Sequence, residues 1–344
     1  MERMGVRKNG GRGPSIYDVA KGAGVSVATV SRYLNEKERV SPARQEKIRA
    51  AIDELGYRPS AVAQAFSRGS SRCITVVVSS LRLFGPTLTV AGIEERAAVH
   101  GYAVDILTLD SESRCGARST AFVDRLCARS PEGILLIEYD ERGKSVAAEI
   151  PGEIPCIGLC EDGVSRGHRQ VSLATFTGGK AVTGYLLSLG HKTVYHVSVP
   201  FTEAGAGRER GWRAALEKSG AFVPDPIEAS WSPQSGVLAG KRLASIDDCT
   251  AVFVGNDEVA MGVIAGLTAE GKRVPEDVSV IGMDGHPLGC ACIPPLTTYR
   301  LGFEEAGAAA FDMLASGNNR ADALLLEFEG ELIVRDSASA PPRQ

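Results

Sequence analysis

No stretch of the 344 residues approaches the roughly eighteen consecutive apolar positions a membrane span needs. The basic opening, MERMGVRKNGGRGP, has no apolar segment behind it to act as an export signal. The expectation is a cytoplasmic protein with no membrane partner. The eight cysteines (Cys73, Cys115, Cys127, Cys156, Cys160, Cys249, Cys290, Cys292) are scattered. In a reducing compartment such residues act as buried apolar fillers, and no disulfide is expected. Cys290 and Cys292 form a C-x-C, but no second Cys/His pair at zinc-ligand spacing accompanies them, so no metal is expected. Catalytic signatures are missing as well. TGGKA at Thr177 to Ala181 lacks the upstream glycine and the following hydroxyl of a phosphate loop, and neither a nucleophile elbow nor an H-E-x-x-H helix occurs. The histidines (His100, His168, His191, His196, His286) are too dispersed for a ligand set. Nothing supports an enzyme, and no cofactor is expected.

The composition is that of a folded chain with more than one unit, 44% hydrophobic and 23% charged. Charge is unevenly distributed. Residues 1–72 hold fourteen Lys/Arg against seven Asp/Glu, a net of +7, and the remainder holds 24 against 35, a net of −11, which gives the −4 of the whole. A compact basic end on an acidic body suits a protein in which only that end meets a polyanion such as nucleic acid.

Within the basic end, Ser15 followed by Asp18 reads as a capping box. The helix it starts places Ile16, Val19, Ala20 and Ala23 on one face before Gly24 breaks it. Val25 turns inward, Ser26 caps a second helix from about Val27 to Leu34, and Val30 and Leu34 face the core, leaving Val27, Ala28, Ser31 and Arg32 on the surface. A third helix has Ser41 as cap and Pro42 at its first position, carries Ile48, Ile52 and Leu55, and stops at Gly56. Three short helices of this kind form either a plain bundle with a polar face or a helix-turn-helix whose second helix enters the major groove. On the second reading Arg32 can grip guanine O6 and N7, Val27 and Ala28 can touch thymine methyls, and Tyr17, Ser26, Thr29, Ser31 and Asn35 are phosphate candidates.

The run IYDVAKGAGVSVATVSRYLNEKERVSPARQEKIRAAIDELGYRPSAVAQAF resembles the N-terminal signature of the LacI/GalR family of bacterial transcription regulators, over about fifty residues. The resemblance implies a homodimer that reads a palindromic operator in double-stranded DNA. It also implies a hinge after Pro59 that becomes helical, over Ser60 to Ser67, on DNA. Phe66 stands where the family has a leucine that wedges into the minor groove. The residues then divide into a flexible basic tail 1–14, a helix-turn-helix domain 15–58, a hinge helix and linker 59–72, a two-lobed ligand-binding and dimerisation domain 73–336, and a tail 337–344.

In the body, apolar runs alternate with helix-like segments in two series. The first runs from CITVVVSS to GILLIEY and the second from HKTVYHVSV to VSVIGMD, which implies two α/β lobes with parallel sheets. Ligands of such sheets bind beyond the carboxyl ends of the strands, in the cleft between the lobes. The body too resembles the family core, which is similar to a periplasmic sugar-binding protein, and the implied effector is a sugar. The resemblance puts Ser79, Leu81 and Phe84 on one wall, and Arg208, Asn256 and Asp284 as the polar grip. Trp231 becomes an aromatic plate for the sugar's apolar face, with Phe303 as a further effector contact. Three positions depart from the family: Cys160 lies where a member has an acidic ligand contact, Ala204 replaces a hydroxyl residue, and Gly285 replaces a second aspartate. The tail DSASAPPRQ has no leucine heptad for tetramer formation. Two alternatives stand beside this reading. One is a corepressor-type regulator answering to a nucleobase; the other, a transport solute-binding protein, would need an export signal and no headpiece.

Overall fold

A computed structural model describes residues 13–58, 71–109, 117–162, 169–200, 207–317 and 325–342. The chain divides into two compact units, Met1–Arg72 and Cys73–Gln344.

In the first unit, α1 (Ile16–Ala23), α2 (Val27–Asn35) and α3 (Pro42–Leu55) surround a core of Val19, Ala20, Ala23, Val30, Val40, Ile48 and Ala51. The capping box is present: the Ser15 hydroxyl accepts from the Asp18 amide, and Asp18 accepts from the Ser15 amide at 2.8 Å. Gly24 ends α1 at φ +64°, where a side chain would be strained. Ser26 caps α2, accepting from the Thr29 amide at 3.2 Å. Two expectations need correction. Ser41 precedes α3 but makes no side-chain cap bond, so Pro42 alone marks that start. Val27 is half-buried and packs against this core, so only part of it is left at the surface.

The second unit is built on two six-stranded sheets. The first has the order β11-β5-β4-β3-β1-β2, from β1 (Cys73–Val78), β2 (Ala103–Thr108), β3 (Ile134–Glu138), β4 (Cys156–Cys160), β5 (Arg169–Ser172) and β11 (Leu325–Glu327), all parallel. The second has the order β12-β10-β9-β8-β6-β7, from β6 (Tyr195–Ser198), β7 (Ile227–Glu228), β8 (Ala251–Val254), β9 (Ser279–Asp284), β10 (Thr297–Arg300) and β12 (Glu331–Ile333). Only β12 runs antiparallel.

Both sheets are covered on both faces, which is why their strands read as continuous apolar runs rather than alternating ones. Ile74, Val76 and Val78 of β1 pack with Val90 and Ile93 of α4 (Phe84–Val99) and Phe311 of α11 (Phe303–Ala315). Val77 points the other way, toward Phe122 and Leu126 of α5 (Ala117–Cys127) and Val146 of α6 (Glu141–Ala147). In the second sheet Phe253 and Ile281 face Val182 of α7 (Thr175–Ser188) and Trp212 of α8 (Gly207–Ser219). Val252, Val254 and Val280 face Leu243 of α9 (Pro233–Ala244) and Val263 of α10 (Asp257–Ala269). The glycines of TGGKA lie inside α7, where a Cβ on Gly179 would collide with the Arg208 carbonyl of α8. Their work is close helix packing.

The chain passes between the lobes three times, at residues 172–175, 300–303 and 327–331, because α11 and β11 return to the first sheet after the second is nearly complete. The boundary expected at 336 falls short. Ser337 is fully buried, donating to the Val280 carbonyl and accepting from the Thr297 amide at 2.8 Å, and the Ser339 carbonyl lies 2.9 Å from His191 Nε2. The first residues of the supposed tail are therefore sewn to β9 and β10. None of the seven described cysteines is in a disulfide; Cys160 and Cys249 are buried fillers, but Cys290 is exposed, because the Pro287–Ala291 turn holds it at the surface.

His196 on β6 is buried between two rings, 5.1 Å from Trp212 and 4.8 Å from Phe253, with Nδ1 3.0 Å from the Phe253 carbonyl. Burial holds its imidazole down to about 3, against 6.5 when free, so the folded protein keeps it neutral. Between those values the unfolded chain binds more protons, so this group's share of stability is complete above pH 6.5 and is lost as pH falls toward 3. Urea denaturation at pH 7 and pH 5 is expected to show a loss of about 2 kcal/mol at the lower pH. His196→Phe should flatten that dependence; an unchanged slope in the variant would assign it elsewhere.

Candidate functional site

In the first unit the outward face of α2 presents Ala28 and Arg32, one turn apart and both exposed. Among the described residues no carboxylate pairs with Arg32. Tyr17, on α1, is 71% exposed. Three of the remaining polar candidates make local side-chain bonds at this helix. Ser26 and Thr29 hydroxyls lie 2.8 Å apart, and Asn35 donates to the Ser31 carbonyl at 2.9 Å. Phe66 lies outside the described residues.

In the second unit a cavity of about 330 Å³ opens where the strands of both sheets end. Ser79 follows β1, Tyr139 and Asp140 follow β3, Glu161 follows β4, Asn256 follows β8, and Asp284 is the last residue of β9. This is the position physics assigns to a ligand of open parallel sheets. Of the eight candidates in this unit, seven line it: Ser79, Phe84, Arg208, Trp231, Asn256, Asp284 and Phe303. Leu81 does not. It is 41% exposed, because the loop after β1 turns it outward and brings Arg82 and Leu83 to the wall instead. Ala204 lies outside the described residues.

Arg208, on the first turn of α8, is 3% exposed and organises the floor. It donates to the Gly255 carbonyl and to Glu161 Oε1 at 2.8 Å, and lies 3.4 Å from Asp284 Oδ1. The 3.4 Å contact is an ion pair without hydrogen-bond geometry. Arg208 Nε and Asp284 Oδ1 are both left buried with no hydrogen-bond partner. Burial raises the pKa of Glu161 and of Asp284, with Arg208 opposing both shifts; burial also weighs against the charged guanidinium, but its carboxylate neighbours outweigh this. Asp284 sits at φ +114°, a backbone conformation that costs an L-residue on the order of 1–3 kcal/mol. The turn is held from below by Asp257, whose Oδ2 accepts from the His286 amide and Oδ1 from the Thr298 hydroxyl, each at 2.6 Å.

Asn256 spends Oδ1 on capping α10, accepting from the Val259 amide at 2.9 Å, so its main offer to a ligand is the Nδ2 donor. The Trp231 ring lies 5.9 Å from the Arg208 guanidinium. At the other end Phe84 meets Phe303 edge-on at 6.3 Å, and Phe303 lies 6.1 Å from Tyr139. Gly85 is required there, since a Cβ would strike the Phe303 ring. The acid expected to be missing at Cys160 is supplied one residue later by Glu161, while Cys160 itself is buried in β4. Tyr139, Asp140, Arg142 and Glu161 were not anticipated. Their signal was position alone, since each follows the end of an apolar run.

Residues 15–60 match the family model described as bacterial regulatory proteins of the lacI family, and residues 183–338 match a periplasmic binding protein-like domain. The HTH-type transcriptional repressor PurR of Vibrio vulnificus is 31% identical over 94% of this chain and 98% of its own length. The chain belongs to the LacI family. This LacI-family protein is also 32% identical to the lactose operon repressor of Escherichia coli, over 87% of this chain and 83% of the relative. Its structure is similar to that of the lac repressor dimer bound to operator and the anti-inducer ONPF, with a TM-score of 0.86, 29% identity, and coverage of 96% of this chain and all of that one. It is a DNA-binding transcription regulator, with a helix-turn-helix region and a two-lobed α/β core. Among the described residues no helix is long and apolar enough to cross a membrane, and no group of three or more His, Cys, Asp or Glu could hold a metal.

Proposed function

We propose that this regulator is a cytoplasmic repressor, acting as a pair of chains on a palindromic operator, and that a sugar-like polyol in the cavity relieves repression. One observation carries the reading. Arg208 Nε, a donor, and Asp284 Oδ1, an acceptor, are buried and unsatisfied in the wall of the same cavity. Leaving such groups unpaired is costly, and a hydroxylated ligand that turns these two side chains toward the cavity gives both a partner. Trp231 adds an apolar plate, and Asn256 a further donor. Solved structures of relatives agree with this choice. One is the lac repressor bound to ONPG, with a TM-score of 0.84; another is the CelR–cellobiose complex, with a TM-score of 0.66 and 26% identity. Effector binding can shift operator affinity only by its differential affinity for the two states of the protein.

A second reading, a nucleobase that tightens DNA binding, draws on the Phe84, Tyr139 and Phe303 rings, which offer a flat base a stacking wall. Titration of monosaccharides, disaccharides and purines against the operator complex separates the two. Release of operator by a saccharide is expected. Tightening by a purine alone would favour the second reading, and turnover of any sugar would contradict a purely regulatory role.

A further inference from the structure

The cations around the cavity are not equally satisfied. Arg208 is neutralised by Glu161 and Asp284. On the first-lobe rim stand Arg82 and Arg142, with Asp140 as the acid of that rim. Asp140 is fully spent: Oδ1 accepts from the Ser79 hydroxyl at 2.6 Å and from the Gly143 amide at 2.9 Å, and Oδ2 faces Arg142 at 3.2 Å. Arg82 is left with no carboxylate among the described residues. The last lining acid, Glu258, belongs to the first turn of α10 on the second lobe, where the helix's positive end already favours it.

The backbone beside Arg82 adds to this imbalance. α4 begins at Phe84 with no side-chain cap and no acid in its first turn, and its first residues, Phe84, Gly85 and Pro86, line the cavity. The amides of Phe84 and Gly85 are among the four at a helix start that lack an intrahelical partner. Ser80 accepts from the Arg82 amide at 3.1 Å, so its own proton remains available to donate, whereas Ser79 has given its proton to Asp140. An exposed guanidinium with no carboxylate partner among the described residues, a partly shared one, a hydroxyl donor and an uncapped helix start thus line one side of a cavity. The buried unpaired atoms of Arg208 and Asp284 independently mark that cavity as a ligand site.

We infer that the effector carries an anionic group, a phosphate or a carboxylate, seated at the Arg82 and Arg142 rim beside the start of α4. The inference rests on the reading of the cavity as a polyol site and narrows it to charged sugar derivatives. The polyol end meets Arg208, Asp284, Asn256 and Trp231, and the charged end meets Arg82, Arg142 and Ser80. Charge-assisted hydrogen bonds of this kind are about twice as strong as neutral ones.

Calorimetric titration of the full-length protein with matched sets, each hexose beside its 6-phosphate and its uronate, tests this. The charged member of the recognised set is expected to bind about tenfold or more tightly than the neutral sugar, with the margin shrinking as salt is added. Which of the two charged members wins identifies the anion. Arg82→Gln should bring the margin close to one, Arg82→Lys should retain most of it, and Arg82→Gln with Arg142→Gln should abolish it. Equal or tighter binding of the neutral sugar, or a margin that survives the double substitution, overturns the inference while leaving the polyol reading in place. Failure of charged and neutral sugars alike overturns both.

Discussion

Replacing Arg208 with Met is expected to abolish the response to effector and to cost on the order of 3–5 kcal/mol of stability, the range for removing one partner of a buried ion pair. The side chain is almost wholly enclosed, and its loss leaves Glu161 and Asp284 facing each other without a cation. Burial already raises both of their pKa values, and removal of Arg208 raises them further, so the variant recovers stability by taking up protons. Its deficit should therefore shrink as pH is lowered, which chemical denaturation at several pH values would show. Arg208→Lys separates charge from geometry. A lysine keeps the positive charge but cannot donate in two fixed directions, so it should regain much of the stability and little of the effector affinity. Full effector affinity in the lysine variant would show that Arg208 acts only as a counter-charge.

For the headpiece, Arg32→Ala is expected to cost about 1–3 kcal/mol of operator affinity and to relax the preference at a single base pair. Arg32 is the exposed cation on the outward face of α2 and is held by no carboxylate among the described residues, so its guanidinium is free for a base edge. Competition binding with operators altered one base pair at a time measures this. Equal weakening on every sequence, with a shallower salt dependence, would instead place Arg32 on a phosphate.

Much of this was legible in the sequence where a local rule had no competitor. Ser15, Asp18 and Gly24 mark the ends of α1 because capping and positive φ are short-range demands. The two series of apolar runs gave two lobes because strands covered on both faces must be apolar throughout. Strand ends were harder to read. Leu81 leaves the cavity because the bends after β1 turn it outward, and the acid absent at Cys160 stands one position on at Glu161, where one step along the chain turns a side chain to the other side. Asp140 and Arg142 carry no pattern of their own. The third crossing between lobes was invisible, because β11 (Leu-Leu-Glu) and β12 (Glu-Leu-Ile) are three residues each and too short for any periodicity.

That late return has a consequence for how the protein is made. On the ribosome the N-terminal three-helix unit has all its parts once its own residues emerge, but the first sheet lacks its edge strand until residue 327 is synthesised. Until then the β5 backbone stays open to pairing, and until residue 315 the apolar face under α11 stays uncovered. A nascent chain thus holds a complete headpiece well before it holds a complete sensor, and a stop codon between the headpiece and β11 would release that headpiece without a complete body behind it.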